Sequence, residues 1–264
     1  MMDWLFRLPL LWVFVVTVGS FLAVTLGGMI LFGPVRERLQ KRFHRSSDQA
    51  EYFGTQIWLA YTLILSLTAV GAWSEYQSAT EKVSREVASL EVLHRAALLY
   101  PEPMRSQMDD IIRAYAKDVA EKEWPEQRAG KHPSAAKYRF GALNRLIGDF
   151  EPDNLADTLM HTETLRQMTT ASEARRARIH ATANSLPAVV WIVLLVGAAL
   201  ALTGATLFVT VDDAALHLTL VGCMAAFVGL VVFVTVALDH PFQGDVTPSE
   251  HGFHLIAERP FGGL

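Results

Sequence analysis

Thr55, Thr62 and Ser66 stand in one apolar run, Tyr52 to Trp73, that contains no Asp, Glu, Lys, Arg or His. Together with Leu59, Ala69 and Trp73 they recur at spacings of three or four residues, which places all six on one face of an α-helix. Hydroxyls in such a run serve one of two ends. Copies of the helix around an axis would form a narrow, weakly polar wall past which an ion can move. Alternatively, each hydroxyl bonds back to a carbonyl one turn earlier, or across to a neighbouring helix, as is common in membrane helices. Spacing alone leaves both readings open.

A second group closes another apolar run. In Asp239-His240-Pro241-Phe242-Gln243-Gly244, Asp239 and His240 lie where a helix leaving a bilayer meets water and charge is tolerated. Pro241 prevents a regular helix from continuing, Phe242 can anchor in the interface or in a neighbouring domain, and Gly244 permits a tight turn back. Arg175, Arg176 and Arg178 precede another apolar run. They would draw anions toward a pore mouth, bind acidic headgroups, or simply form a solvated, snorkelling face.

Other chemistry is missing. The sequence has no Gly-x-Ser-x-Gly elbow, phosphate-binding glycine loop, His-Glu-x-x-His or Cys-x-x-Cys, so an enzyme is not expected. His94, His132, His161 and His180 lack ligand spacing and read as surface or packing residues. A net charge of −4 and the lack of a basic, aromatic-interleaved stripe argue against a nucleic-acid partner. Proton-coupled transporters place ionisable groups at mid-depth, and none is found there. The single cysteine, Cys223, cannot form an intrachain disulfide.

The elements that must position these residues are membrane spans. Of the 264 residues, 51% are hydrophobic, and about 20 apolar residues suffice to cross the hydrocarbon. Residues 10–32, 52–73, 186–211 and 214–238 meet that requirement. The fourth carries only His217, near its start, where the side chain can reach the interface. The first run is too long for a signal-peptide core and lacks an Ala-x-Ala cleavage site, so it is expected to be retained. Small residues four apart allow close helix contact: Ala23 and Gly27, Gly197 and Ala201, Gly222 and Ala226, Ala225 and Gly229. The expected fold is an all-α polytopic membrane protein with a helical bundle inserted between spans two and three.

That bundle occupies residues 74–185, with 239–264 as a C-terminal tail. Trp73, Tyr76, Ala79, Val83, Val87, Leu90 and Ala97 continue the second span as one stripe, which Pro101 and Pro103 end. Met104, Met108, Ile111, Tyr115, Val119 and Trp124 predict a second helix closed by Pro125, before a loop over 126–134. Phe140, Leu143, Ile147 and Phe150 predict a third. The fourth, capped by Asp153, turns Leu155, Leu159, Thr162, Leu165, Met168 and Ile179 to the core. Ser185 and Pro187 mark the start of the third span.

Two spans, a helical domain of about a hundred residues, two more spans and an Asp-x-Pro-Phe-x-Gly exit resemble the bacterial bestrophin-like membrane family. The matching stretches are AWSEYQSATEKVSREVASLEVLHRAALLYPEP, EKEWP at Glu121 to Pro125, RRARIHATANSLPAVVW and LDHPFQGDVTPSEHGF. Through the distant likeness to bestrophins proper, the resemblance implies a homo-oligomer in the lipid bilayer of the bacterial plasma (inner) membrane. It further implies a pore on the symmetry axis and a permeant anion such as chloride. Bestrophins follow their Pro-Phe-Gly with an acidic calcium clasp. Here Gln243 intervenes, and only Asp245 and Glu250 would serve as metal ligands, fewer than the six to eight oxygens Ca²⁺ takes. No other cofactor is implied.

The loop between spans one and two holds Arg36, Arg38, Lys41, Arg42 and Arg45, which would place it in the cytoplasm. Arg7, Lys82, Arg85, Arg166, Arg175, Arg176 and Arg178 nearly cancel that bias from the other side. The bestrophin layout puts the termini and the helical domain in the cytoplasm. The sequence thus supports an anion-leaning, oligomeric channel lined by the second span. The alternative is a non-conducting sensor or scaffold whose helical domain binds a partner or ligand.

Overall fold

The computed structural model describes residues 8–31, 33–34, 38, 47–208 and 213–258. Arg36, Lys41, Arg42 and Arg45, which bear on orientation, lie outside them, as do Arg7, Phe32 and the end of the third span beyond Phe208. The described elements are helical throughout: α1 (Leu10–Leu31), α2 (Ser47–Ala97), α3 (Met104–Asp118), a π-helical turn (Val119–Glu123), α4 (Trp124–Arg128), α5 (Lys137–Gly148), α6 (Leu155–Ala181), α7 (Ala188–Phe208), α8 (Ala214–Asp239) and α9 (His251–Glu258). Four of them, α1, α2, α7 and α8, are long and apolar enough to cross a membrane.

The chain divides into two compact units. The first comprises Met1–Glu75 and Ser185–Asp239, the second Tyr76–Asn184 and His240–Leu264. The first unit centres on Val13, Tyr61, Leu65, Leu194, Ala198, Ala201, Val228, Val232 and Val236. Two glycines let its helices approach. A Cβ on Gly229 would lie 3.0 Å from Val18 Cα, and one on Gly197 would lie 2.7 Å from Tyr61 Cδ2, so backbone and ring occupy the space a side chain would need. His217 is fully enclosed rather than reaching the interface, because it shares the inward stripe of Val221, Ala225, Val228 and Val232 at helical spacing.

The second unit packs around Leu90, Leu93, Tyr100, Met108, Ile112, Tyr115, Trp124, Leu143, Ile147, Phe242 and Phe253. α2 ends at Ala97, ahead of Pro101 and Pro103, as the breakers predict. Pro125, by contrast, does not close the second helix. The π-turn widens the backbone just before it, and Pro125 sits in the first turn of α4, where its missing N–H goes unneeded. The chain stays helical to Arg128, so the expected loop from 126 is shorter, turning at Gly130 with φ +70°. The N-cap of α6 is Asn154 rather than Asp153: its extended backbone aims the side-chain oxygen at the Asp157 amide, 2.9 Å away.

The face of α6 also differs from expectation. Leu155 and Leu159 are 76% and 64% exposed, Thr162 and Leu165 are exposed too, and Ile179 is only half-buried. The buried stripe is His161, Thr164, Met168, Ala171, Arg175, Arg178 and Ala181. Its helical spacing is regular, but counting only apolar residues selects the wrong side. Residues 240–258, read from the sequence as a tail, contribute Phe242, Phe253 and Ile256 to this core.

Candidate functional site

Three groups of residues stand out. The first is the outward face of α2. Thr55, Leu59, Ser66 and Trp73 are exposed, and Thr62 and Ala69 are half-buried. The adjoining side, about a quarter turn round the helix, supplies Tyr61, Leu65 and Ala72 to the interior. Thr62 Oγ1 donates to the Trp58 carbonyl and Ser66 Oγ to the Thr62 carbonyl, each at 2.8 Å. Both protons therefore stay within the helix, and the oxygens present lone pairs to whatever covers this face.

The second is the exit of α8. Asp239 is buried, and its Oδ1 accepts the Leu186 amide at 2.6 Å while its Oδ2 accepts Trp191 Nε1 at 3.3 Å. A carboxylate is poorly placed at its own helix's C-terminus, but here it faces the start of α7, where unpaired amides and the helix dipole favour negative charge. Asp239 thus ties the end of α8 to the backbone that leads into α7. Pro241 and Phe242 are buried, and the Phe242 ring meets Trp124 edge-on at 5.9 Å. Gly244 has φ +76°, the left-handed backbone the motif requires. Asp245 is exposed. Glu250 lies 3.4 Å from Arg128 Nη2, and among the described residues no group of three or more His, Cys, Asp or Glu could hold a metal ion.

The third group corrects the reading of the arginines. Arg176 is exposed, but Arg178 is fully buried and Arg175 nearly so. Arg178 Nε and Nη2 donate to Glu86 at 2.6 and 3.3 Å. Nη2 also reaches Glu123 Oε2 at 2.9 Å, and Nη1 reaches Gln127 Oε1 at 2.7 Å. Arg175 grips Glu123 in a bidentate pair at 2.6 and 3.1 Å and donates to Tyr115 Oη at 2.8 Å. Tyr115 Oη in turn donates a hydrogen bond to Glu86 Oε1. Glu123 further accepts the Ala136 amide at 2.9 Å, and Gln127 Nε2 donates to Thr182 Oγ1 at 2.7 Å.

The electrostatics follow from that geometry. Burial by itself would raise the Glu123 carboxyl, but the hydrogen bond from Arg175 and the charges of Arg178 and Arg175 hold it below the ordinary range. Burial raises the Tyr115 phenol, reinforced by Glu86, so it stays protonated and can bridge. Burial would lower Arg178, yet Glu86 and Glu123 more than offset that and the guanidinium stays charged. The sequence reading missed Glu86, Tyr115, Glu123 and Gln127 as partners. The available signal was the placement of Arg175 and Arg178 on one stripe with Met168, Ala171 and Ala181.

Two histidines read as surface or packing residues are also internal. His94 Nε2 meets Asp109 Oδ1 at 2.6 Å, and Arg113 holds the other carboxylate oxygen at 3.1 Å. Tyr100 Oη meets His161 Nδ1 at 2.9 Å. His132 and His180 are exposed.

Membrane-length helices, a helical domain between the second and third of them, and a Pro-Phe exit folded into that domain's core define an all-α polytopic membrane protein. A family model described as the Bestrophin-like domain matches residues 11–253; the chain belongs to the Bestrophin-like family. Two crystal structures share its fold, both of point-substituted proteins. One is a membrane protein, with TM-score 0.67 and 8% identity, covering 92% of this chain and 99% of that chain. The other is a bacterial bestrophin homologue from Klebsiella pneumoniae, with TM-score 0.66 and 9% identity, covering 95% of this chain and 99% of that chain. A search of curated proteins returns no match.

Proposed function

We propose that this protein is an anion-leaning, homo-oligomeric ion channel of the bacterial plasma membrane, with copies of α2 surrounding an axial pore. The observation that carries the reading is that α2 buries only a narrow stripe and leaves the rest of its circumference, the hydroxyl-bearing face included, uncovered. Tyr61, Leu65 and Ala72 bury into the chain's own core, while Thr55, Leu59, Ser66 and Trp73, about a quarter turn away, belong to the broad uncovered surface that also holds Leu63, Leu67 and Val70. Thr62 and Ala69 flank that face, and a pore wall of this kind passes ions through apolar and weakly polar constrictions without a fixed charge. Since the Thr62 and Ser66 protons are committed to the backbone, the anion preference rests on the family and not on these hydroxyls. Asp245 and Glu250 are too few carboxylates to form a calcium site unaided, so gating by that ion is not part of this reading.

Reconstitution in liposomes tests it. A chloride gradient should dissipate through the purified protein, and Ser66→Trp, which places a large ring on the proposed wall, should reduce the flux to background. An assembled particle with no axial path, silent under every ion gradient, would overturn the channel and favour a non-conducting scaffold.

A further inference from the structure

The charged cluster in the second unit is more highly specified than stability demands. Glu86 and Glu123 balance Arg175 and Arg178 in charge, and all four side chains are buried. Replacing a buried ion pair by well-packed apolar side chains is often neutral or stabilising, because mutual attraction does little more than offset lost hydration. The arrangement therefore calls for another explanation, and its geometry supplies one.

Apolar surfaces tolerate repacking and lose uniqueness before they lose stability. A guanidinium is less forgiving, since its planar fork must meet each acceptor along a fixed direction. Arg178 reaches Glu86 on α2, Glu123 on the π-turn and Gln127 on α4 together, which a rotation or slide of either helix would undo. Tyr115 on α3 joins the two halves by donating to Glu86 while accepting from Arg175. The rings of Trp124 and Phe253 stand 6.0 and 5.7 Å from the Arg178 guanidinium carbon. They close the space in which water would replace a lost partner.

We propose that the Glu86–Tyr115–Glu123–Arg175–Arg178 cluster is a register lock, permitting one rotation and one height of α2 against α6. Both helices matter to the membrane half of the chain. α2 runs unbroken from a membrane-length segment, and α6 ends shortly before α7 begins. The lock does not depend on conduction, so a silent protein would leave it standing, and its failure would leave the channel reading intact.

Pulsed dipolar spectroscopy in lipid nanodiscs tests the lock. Cys223, the single cysteine, is replaced by serine, and spin labels are attached through Glu81→Cys and Arg176→Cys, at exposed positions of α2 and α6. Excess unlabelled protein suppresses signals between copies. The parent should give one narrow distance. The double variant Glu86→Met with Arg178→Met removes one charge of each sign and leaves the Arg175–Glu123 pair intact. Because it also strips the buried Gln127 and Tyr115 of one hydrogen-bond partner each, it should stay folded with its melting point lowered by several degrees and give a broadened or split distance distribution. Retention of the parent's single narrow distance would overturn the proposal. Loss of folding in the double variant would overturn it equally, since the cluster would then act through stability.

Discussion

Glu123 shows how one side chain ties local backbone to charge. The π-turn aims it at Arg175 and Arg178, and together they hold its carboxyl below the ordinary value of 4.5. A carboxylate depressed by folding contributes stability that is fully present above its unfolded pKa. That contribution is lost as pH falls through the folded value. The melting temperature in detergent should therefore hold steady near neutrality and decline below about pH 4.5. Glu123→Gln should flatten that decline while lowering the neutral-pH stability by ~3–5 kcal/mol, because the arginines keep their charge and lose a partner. A melting profile with the same acid slope in both proteins would contradict this account.

Gly197 sets the fit between two membrane-length helices. Tyr61 fills the notch left by its missing side chain, so Gly197→Ala should force ring or backbone to shift and cost about 1–3 kcal/mol. Thermal melting of the purified variant measures this, and an unchanged midpoint would mean the helices yield freely. The C-terminal segment behaves as an element of the helical domain as well. Phe242 and Phe253 both lie against Trp124, and Gly252 is so close to Val87 that a Cβ would fall 2.9 Å from its methyl groups. Phe242→Ala should lose ~3–5 kcal/mol and render residues 240–258, which contain no Lys or Arg, cleavable by a protease of broad specificity under conditions where the parent resists.

At the scale of the whole molecule the test is of assembly. The proposed reading requires several copies, because one α2 face cannot enclose a path. Mass photometry in nanodiscs should give a uniform particle several times the 29.3 kDa of one chain, and Ser66→Trp should change conduction without changing that mass. A monomer at all concentrations would rule out an axial pore between copies.

The order of apolar runs and breakers was sufficient to specify the membrane-length helices, the all-α class and the helical domain between spans two and three. Bilayer thickness and the need to pair every backbone amide leave such runs no other form. The Pro241 stop and the Gly244 turn were legible for the same local reason. The buried face of α6, the π-turn ahead of Pro125 and the partners of Arg175 and Arg178 were not. Each depends on residues such as Glu86 and Arg178 that lie far apart in the chain. A buried charge looks like a surface charge until the fold brings its counter-charge within reach, so only tertiary structure could decide which arginines face water and which hold the core.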